Sequence, residues 1–249
     1  MRKILLICFV PVYIFAVDTL SQVSTIDALL GGLYDGVITL KELQQQGNFG
    51  IGTYDGLDGE MVLLDGLFYQ VKADGKVYQP QLSITTPFAA VVEFGTENEI
   101  EIDPGTDFHR FEQIIDETLP TFNIFYALRM EGKFSYIKTR SVPRQEKPYL
   151  PLAEIAATQP TFEYENIEGT IIGFRCPDYV KGMNVPGYHL HFISKDKKVG
   201  GHLLKFIVQK GRCGVDYIHY FSLQLPQTDD FYKIDLREDK SEELQKVEK

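Results

Sequence analysis

Short apolar runs separated by turn residues dominate the first half of the chain. EMVLLDG, LFYQVKADG and KVYQP follow one another from Glu60 to Pro80. Such runs bounded by Asp-Gly or proline predict the strands of a meander. Five Asp-Gly pairs fall between Asp35 and Gly75, four of them after Phe49. Both residues of the pair tolerate positive φ, which suits tight turns. LSITTPFAAVVEFG adds a strand around Phe88 to Phe94.

Helical spacing is confined to short stretches. Ile26, Leu29, Leu30 and Leu33 share one face behind a cap at Ser24 or Thr25. Thr39 and Glu42 have the spacing of a capping box, with Gly47 as the stop. In TDFHRFEQIIDETLP, Phe108, Phe111, Ile115 and Leu119 form an apolar stripe that Pro120 ends. The next segment, TFNIFYALRMEGKFSYIKTRSV, is expected to fold back as a hairpin at Glu131-Gly132. The four prolines from Pro143 to Pro160 surround a short helical PLAEIAAT and suggest a boundary between an N-terminal lobe, 17–145, and a C-terminal lobe, 146–249. Strands follow in TIIGFRCP, YHLHFIS, HLLKFIVQKG and VDYIHYFSLQLP. The charged end, SEELQKVEK, is expected to be a short surface helix or a frayed tail. Runs of strands broken by few short helices predict an α+β, two-lobed, β-rich fold with mixed and antiparallel sheets.

Composition narrows the function. The chain has 249 residues and is 44% hydrophobic, enough for a substantial core, and its net charge of −10 argues against a nucleic-acid footprint. Residues 1–16, MRKILLICFVPVYIFA, have a basic start and an uncharged apolar run from Ile4 to Ala16. That run is short for a bilayer span and resembles an export signal, with an uncleaved anchor, which would leave the chain membrane-bound, or a buried cytoplasmic strand as alternatives. Cys8 lies in this leader. Cys176 and Cys213 have no metal-binding spacing and are expected to be buried free thiols rather than a bridge.

The histidines carry the clearest chemistry. Three of the five, His189, His191 and His202, fall within GYHLHFISKDKKVGGH. Side chains alternate along a strand, so His189 and His191 share a face while Tyr188, Leu190 and Phe192 take the other. SKDKKVGG is a polar turn that would return the chain antiparallel and bring His202 beside the pair. Three neutral imidazoles suit Zn²⁺ or a similar divalent ion and leave coordination positions open. His109 and His219 are expected to be structural or solvent-exposed. Glu60 opens an apolar strand, where it is either a solvated glutamate beside a turn or a general acid whose pKa desolvation raises, and Arg140 ends another, where a guanidinium could clamp a carboxylate or simply be exposed.

STIDALLGGLYDG, TLKELQQQGNFGIGTYDGLDGEMVLLDG and GYHLHFISKDKKVGGHLLKF resemble the signature segments of the α-acetolactate decarboxylases, a likeness that runs from about Val23 to the tail. It implies a lyase that converts 2-acetolactate to acetoin and CO₂ through a metal-stabilised enediolate, with zinc on His189, His191 and His202 and no organic cofactor. It places Glu60 and Arg140 in the catalytic set and Thr53 and Arg140 in the substrate pocket. A tail glutamate belongs to that set; Glu248 fits best, with Glu242 and Glu243 near it. It further implies a homodimer with a small-molecule substrate. Two other readings compete. A cupin-like metal dioxygenase also uses HxH, but the glutamate expected after that motif is absent, where Ile193, Ser194 and Lys195 follow. An exported binding protein would keep the hairpin without chemistry.

Overall fold

The computed structural model describes residues 18–248, so the leader 1–16 lies outside the described residues. Among the described residues there are fourteen strands: β1 Thr19–Val23, β2 Ile38–Thr39, β3 Phe49–Thr53, β4 Glu60–Leu64, β5 Leu67–Val71, β6 Val77–Tyr78, β7 Thr85–Thr86, β8 Ala89–Val92, β9 Asn98–Ile102, β10 Phe125–Arg140, β11 Thr161–Cys176, β12 Gly187–Ser194, β13 Gly200–Ile218 and β14 Tyr220–Gln224. The α-helices are α1 Ile26–Leu30, α2 Leu40–Leu43, α3 Phe108–Thr118, α4 Leu152–Ala156, α5 Asp229–Lys233 and α6 Ser241–Glu248. This is the expected α+β, β-rich architecture. Local chemistry sets several ends: Thr25 caps α1 by accepting from Ala28 N–H, and Thr39 and Glu42 complete the capping box of α2.

Two sheets form the body. The first has the order β14-β1-β8-β3-β4-β5-β6 and is antiparallel except where β1 runs parallel to β14. The β3 to β6 meander matches the Asp-Gly punctuation. The second has the order β10-β11-β12-β13-β9, and β10 also pairs with β13, which curls the long strands around a core of their own. Phe134 meets Phe192 and Phe206 edge-on inside it, and Phe111 and Ile115 of α3 cover that core. Between the sheets, Ile51, Val62 and Ala90 pack with Ala127, Ile172 and Phe174. Strands cross residue 145 in both directions: β14 flanks the first sheet, while β9 and β10 belong to the second. Both lobes are thus built from both segments of the chain.

Two expectations about strands are corrected, and the two alternatives for the tail are resolved. Glu131-Gly132 is not a turn, because β10 runs straight through it. Gly132 faces Gly169 on one side and Gly211 on the other. A Cβ at Gly132 would lie 2.5 Å from the Lys210 carbonyl oxygen, so this glycine serves the close approach of strands rather than a reversal. HLLKFIVQKG and VDYI are likewise one strand, β13, and His219 falls at the break before β14. The tail forms α6, whose Leu244 and Val247 are buried against Leu29, Leu57 and Leu152. It is a docked helix rather than a frayed end. Cys176 and Cys213 are free and buried, as expected.

Candidate metal centre and active-site cavity

The hairpin of β12 and β13 builds the centre. His191 and His202 are directly paired across the two antiparallel strands, and His189 lies two residues from His191 on the same face. Two glycines allow the close approach of β13 to its neighbours: a Cβ at Gly200 would lie 2.4 Å from the Phe192 carbonyl oxygen of β12. Gly201 has φ +135, and a Cβ there would lie 2.4 Å from the Arg140 carbonyl oxygen. The same approach pairs Arg140, at the end of β10, with His202. Leu190 and Phe192 point the other way into the second sheet's core.

The three rings meet with centroids 5.1 to 5.5 Å apart, and one ligating nitrogen from each lies within 4.8 Å of the others. All three are buried, and burial with the nearby Arg140 guanidinium holds their pKa values down, that of His189 to about 3. The rings are therefore neutral, the form that binds a cation. His191 donates from Nδ1 to the Met61 carbonyl at 2.8 Å, which leaves Nε2 as a lone-pair nitrogen aimed at the centre. That buried Nε2 has no hydrogen-bond partner among the described residues. An orphaned imidazole nitrogen beside two others of the same kind fits a divalent ion held by His189, His191 and His202.

Two carboxylates approach the same nitrogens from distant elements. Glu60 begins β4 opposite Thr53 of β3, and its Oε2 is 3.5 Å from His191 Nε2. Glu248 ends α6, with Oε2 3.7 Å from His202 Nε2 and 4.0 Å from His189 Nε2. Burial pushes Glu60 up to about 8, with Arg140 opposing and Glu248 adding to the rise. Burial likewise raises Glu248 to about 7, again against Arg140. Arg140 is pulled down by burial and held up by the two glutamates. Thr53 is buried and donates its hydroxyl to the Gly59 carbonyl at 2.7 Å.

A cavity of about 50 Å³ opens onto these groups. Thr53, Glu60, Arg140, His189, His202 and Glu248 line it, and aliphatic side chains from α1, α4 and α6 supply much of the remaining wall. His191 lies deeper, at 1% exposure. Every residue that sequence reasoning placed in the site is thus brought together. Glu242 and Glu243 are not; Glu243 lies 3.5 Å from Lys240. His109 is exposed on α3. Sequence reasoning missed Gln159, which lines the cavity from the loop after α4 with no local signal to mark it.

Comparison with known proteins identifies relatives of the same fold. The family model described as alpha-acetolactate decarboxylase matches residues 20–238. An alpha-acetolactate decarboxylase of Methanosarcina mazei is 50% identical over 234 residues, covering 94% of this chain and 81% of that protein. That of Bacillus subtilis strain 168 is 40% identical over 220 residues, covering 88% of this chain and 86% of that protein. A crystal structure of the alpha-acetolactate decarboxylase from that strain superposes with a TM-score of 0.90 at 38% identity, over 92% of this chain and 99% of that one. A histidine-lined, carboxylate-flanked cavity on this fold, a family model matched over residues 20–238 and a curated relative identical at half of the aligned positions leave one assignment: the chain belongs to the α-acetolactate decarboxylase family.

Proposed function

We propose that the family's reaction proceeds here by loss of CO₂ from 2-acetolactate to an enediolate, followed by protonation to acetoin. The convergence of three neutral imidazoles, two buried glutamates and one buried guanidinium on one small cavity carries this reading. His189, His191 and His202 would hold a divalent ion, and zinc matches a set of three nitrogen ligands. When bound, that ion supplies a Lewis acid for the negative charge that develops on substrate oxygen.

The chain's own residues account for the rest. Arg140 pairs with the substrate carboxylate and orients its bond to the central carbon. As that bond breaks, its electron pair moves toward the ketone oxygen, and CO₂ leaves as a neutral molecule. No organic cofactor is required, because the ketone β to the carboxylate takes the electrons. Glu60, or Glu248, kept protonated by burial, then delivers a proton to the carbon that lost CO₂ and is recharged from solvent. The aliphatic wall excludes bulk water, which strengthens each of these interactions. Thr53, opposite Glu60, borders the substrate.

Two substitutions test the assignment. Glu60→Gln is expected to retain metal and lose about 100-fold or more in kcat; an unchanged kcat removes Glu60 from the chemistry. His191→Ala is expected to lose the metal, so a full equivalent of zinc in that variant refutes the ligand set. The homodimer and export through the 1–16 leader are separate parts of the proposal. Light scattering tests the first, and the N-terminal mass of the secreted protein tests the second.

A further inference from the structure

We infer that Gln159 binds the substrate carboxylate beside Arg140 and so sets substrate affinity rather than the chemical step. The inference rests on the decarboxylation proposed above. Arg140 is paired with Thr161 at the end of the β10–β11 ladder, and Ser141 N–H donates to the Pro160 carbonyl at 3.3 Å just beyond it. The two chains therefore continue side by side, which carries Gln159 to the level of Val142. Arg140 and Val142 both line the cavity, while the Ser141 hydroxyl between them turns away and donates to the Val71 carbonyl at 2.7 Å. Gln159 enters the cavity from the loop segment facing Val142, in the same lining as the guanidinium.

Its chemistry is otherwise unused. The side chain is half-buried, and no hydrogen bond from the described residues reaches its amide. Leu152 and Ala156 of α4, with Val142 and Val247, make the lining on this side apolar. The Thr53 hydroxyl is already donated to Gly59. Gln159 is thus the side-chain amide of this lining, and its N–H groups, without partners among the described residues, are free to meet a ligand. A carboxylate has acceptor sites for more donors than one guanidinium presents at a time. A neutral amide adds a donor without adding charge to a cavity that already holds Arg140 and a metal centre. Because the carboxylate leaves as neutral CO₂, the bond from Gln159 weakens along the reaction. An interaction of that kind lowers KM and does not raise kcat.

The test uses the full-length, metal-loaded protein and its Gln159→Leu variant. KM and kcat for 2-acetolactate are measured together with inhibition constants for two unreactive probes. One is 2,3-dihydroxy-2-methylbutanoate, which keeps the carboxylate and lacks the ketone; the other is 2,3-butanediol, which lacks both. Gln159→Leu is expected to raise KM and the first inhibition constant about tenfold, with kcat within threefold and the diol constant unchanged. Unchanged KM, a fall confined to kcat, or equal weakening of both probes overturns the inference. If the leucine variant does not fold, Gln159→Glu keeps the shape and sets a carboxylate against the substrate's own. Its KM is expected to rise by more than tenfold, and an unchanged KM again overturns the inference. Wild-type protein that releases no CO₂ from acetolactate would instead refute the parent proposal, before any variant is made.

Discussion

A few side chains show how burial sets chemistry one residue at a time. The imidazoles of His189, His191 and His202 are neutral because they are buried, and the Nδ1 bond of His191 to Met61 selects which nitrogen faces inward. Their grouping was legible in the sequence, since strand alternation and one turn are local rules. Asp216 illustrates the opposite case. It is fully buried on β13, accepts from Gly95 N–H at 3.0 Å, and has a second oxygen without a partner among the described residues. Burial pushes it from 3.8 up to about 6, with Asp18 and Glu97 adding and the Gly95 bond opposing. The folded protein therefore holds this proton more tightly than the unfolded chain. Its contribution to stability is full below about pH 4 and is lost as pH rises through about 6. Asp216→Asn is expected to remove that loss and gain at most about 3 kcal/mol over the parent at pH 7. Urea midpoints of both proteins at pH 4 and pH 7 measure it; a gap that does not widen with pH contradicts the account. No sequence signal marked Asp216, because burial of a strand aspartate depends on the sheet packed over it.

At the level of elements, α6 and β10 are the informative cases. Thirteen of the last 24 residues are charged, which conceals the two apolar positions, Leu244 and Val247, that dock the helix. These sit three residues apart on one face, and that spacing is enough for a single helical turn to attach. The ion pair of Lys181 with Asp239 ahead of α6 is exposed and screened by solvent, so it adds little to that docking. Leu244→Ala is expected to weaken docking by roughly 2 kcal/mol and to lower kcat by withdrawing Glu248, while the global unfolding midpoint stays put. Loss of activity without earlier protection loss in residues 241–248 by hydrogen exchange would break this link. In β10 the sequence was misleading for a physical reason. Glu-Gly resembles a turn, yet a glycine flanked by glycines on both neighbouring strands lets three backbones close together, and only the pairing reveals it.

On the scale of the whole molecule, the cavity lies where the two sheets and the tail meet. Thr53 and Glu60 come from the first sheet, Arg140 and the histidines from the second, and Glu248 from α6. Packing between the sheets therefore supports the site as well as the fold. Phe174→Ala, in that inter-sheet core at 2% exposure, is expected to cost about 3–5 kcal/mol, read as a lowered urea midpoint. Metal removal should act at the same scale, because an ion bound only by the folded state stabilises it by mass action. Chelation is expected to lower Tm and abolish acetoin formation together, and zinc to restore both; an unchanged Tm would disconnect the centre from the fold. The sequence by itself determined the β3 to β6 meander, the caps of α1 and α2, and the hairpin that gathers three histidines, because each depends on residues a few positions apart. Only the tertiary structure decided that Glu60, Arg140, Gln159 and Glu248 share one cavity with them. These contacts span most of the chain, and they form where burial between the two sheets and under the final helix brings those strand ends to the same point.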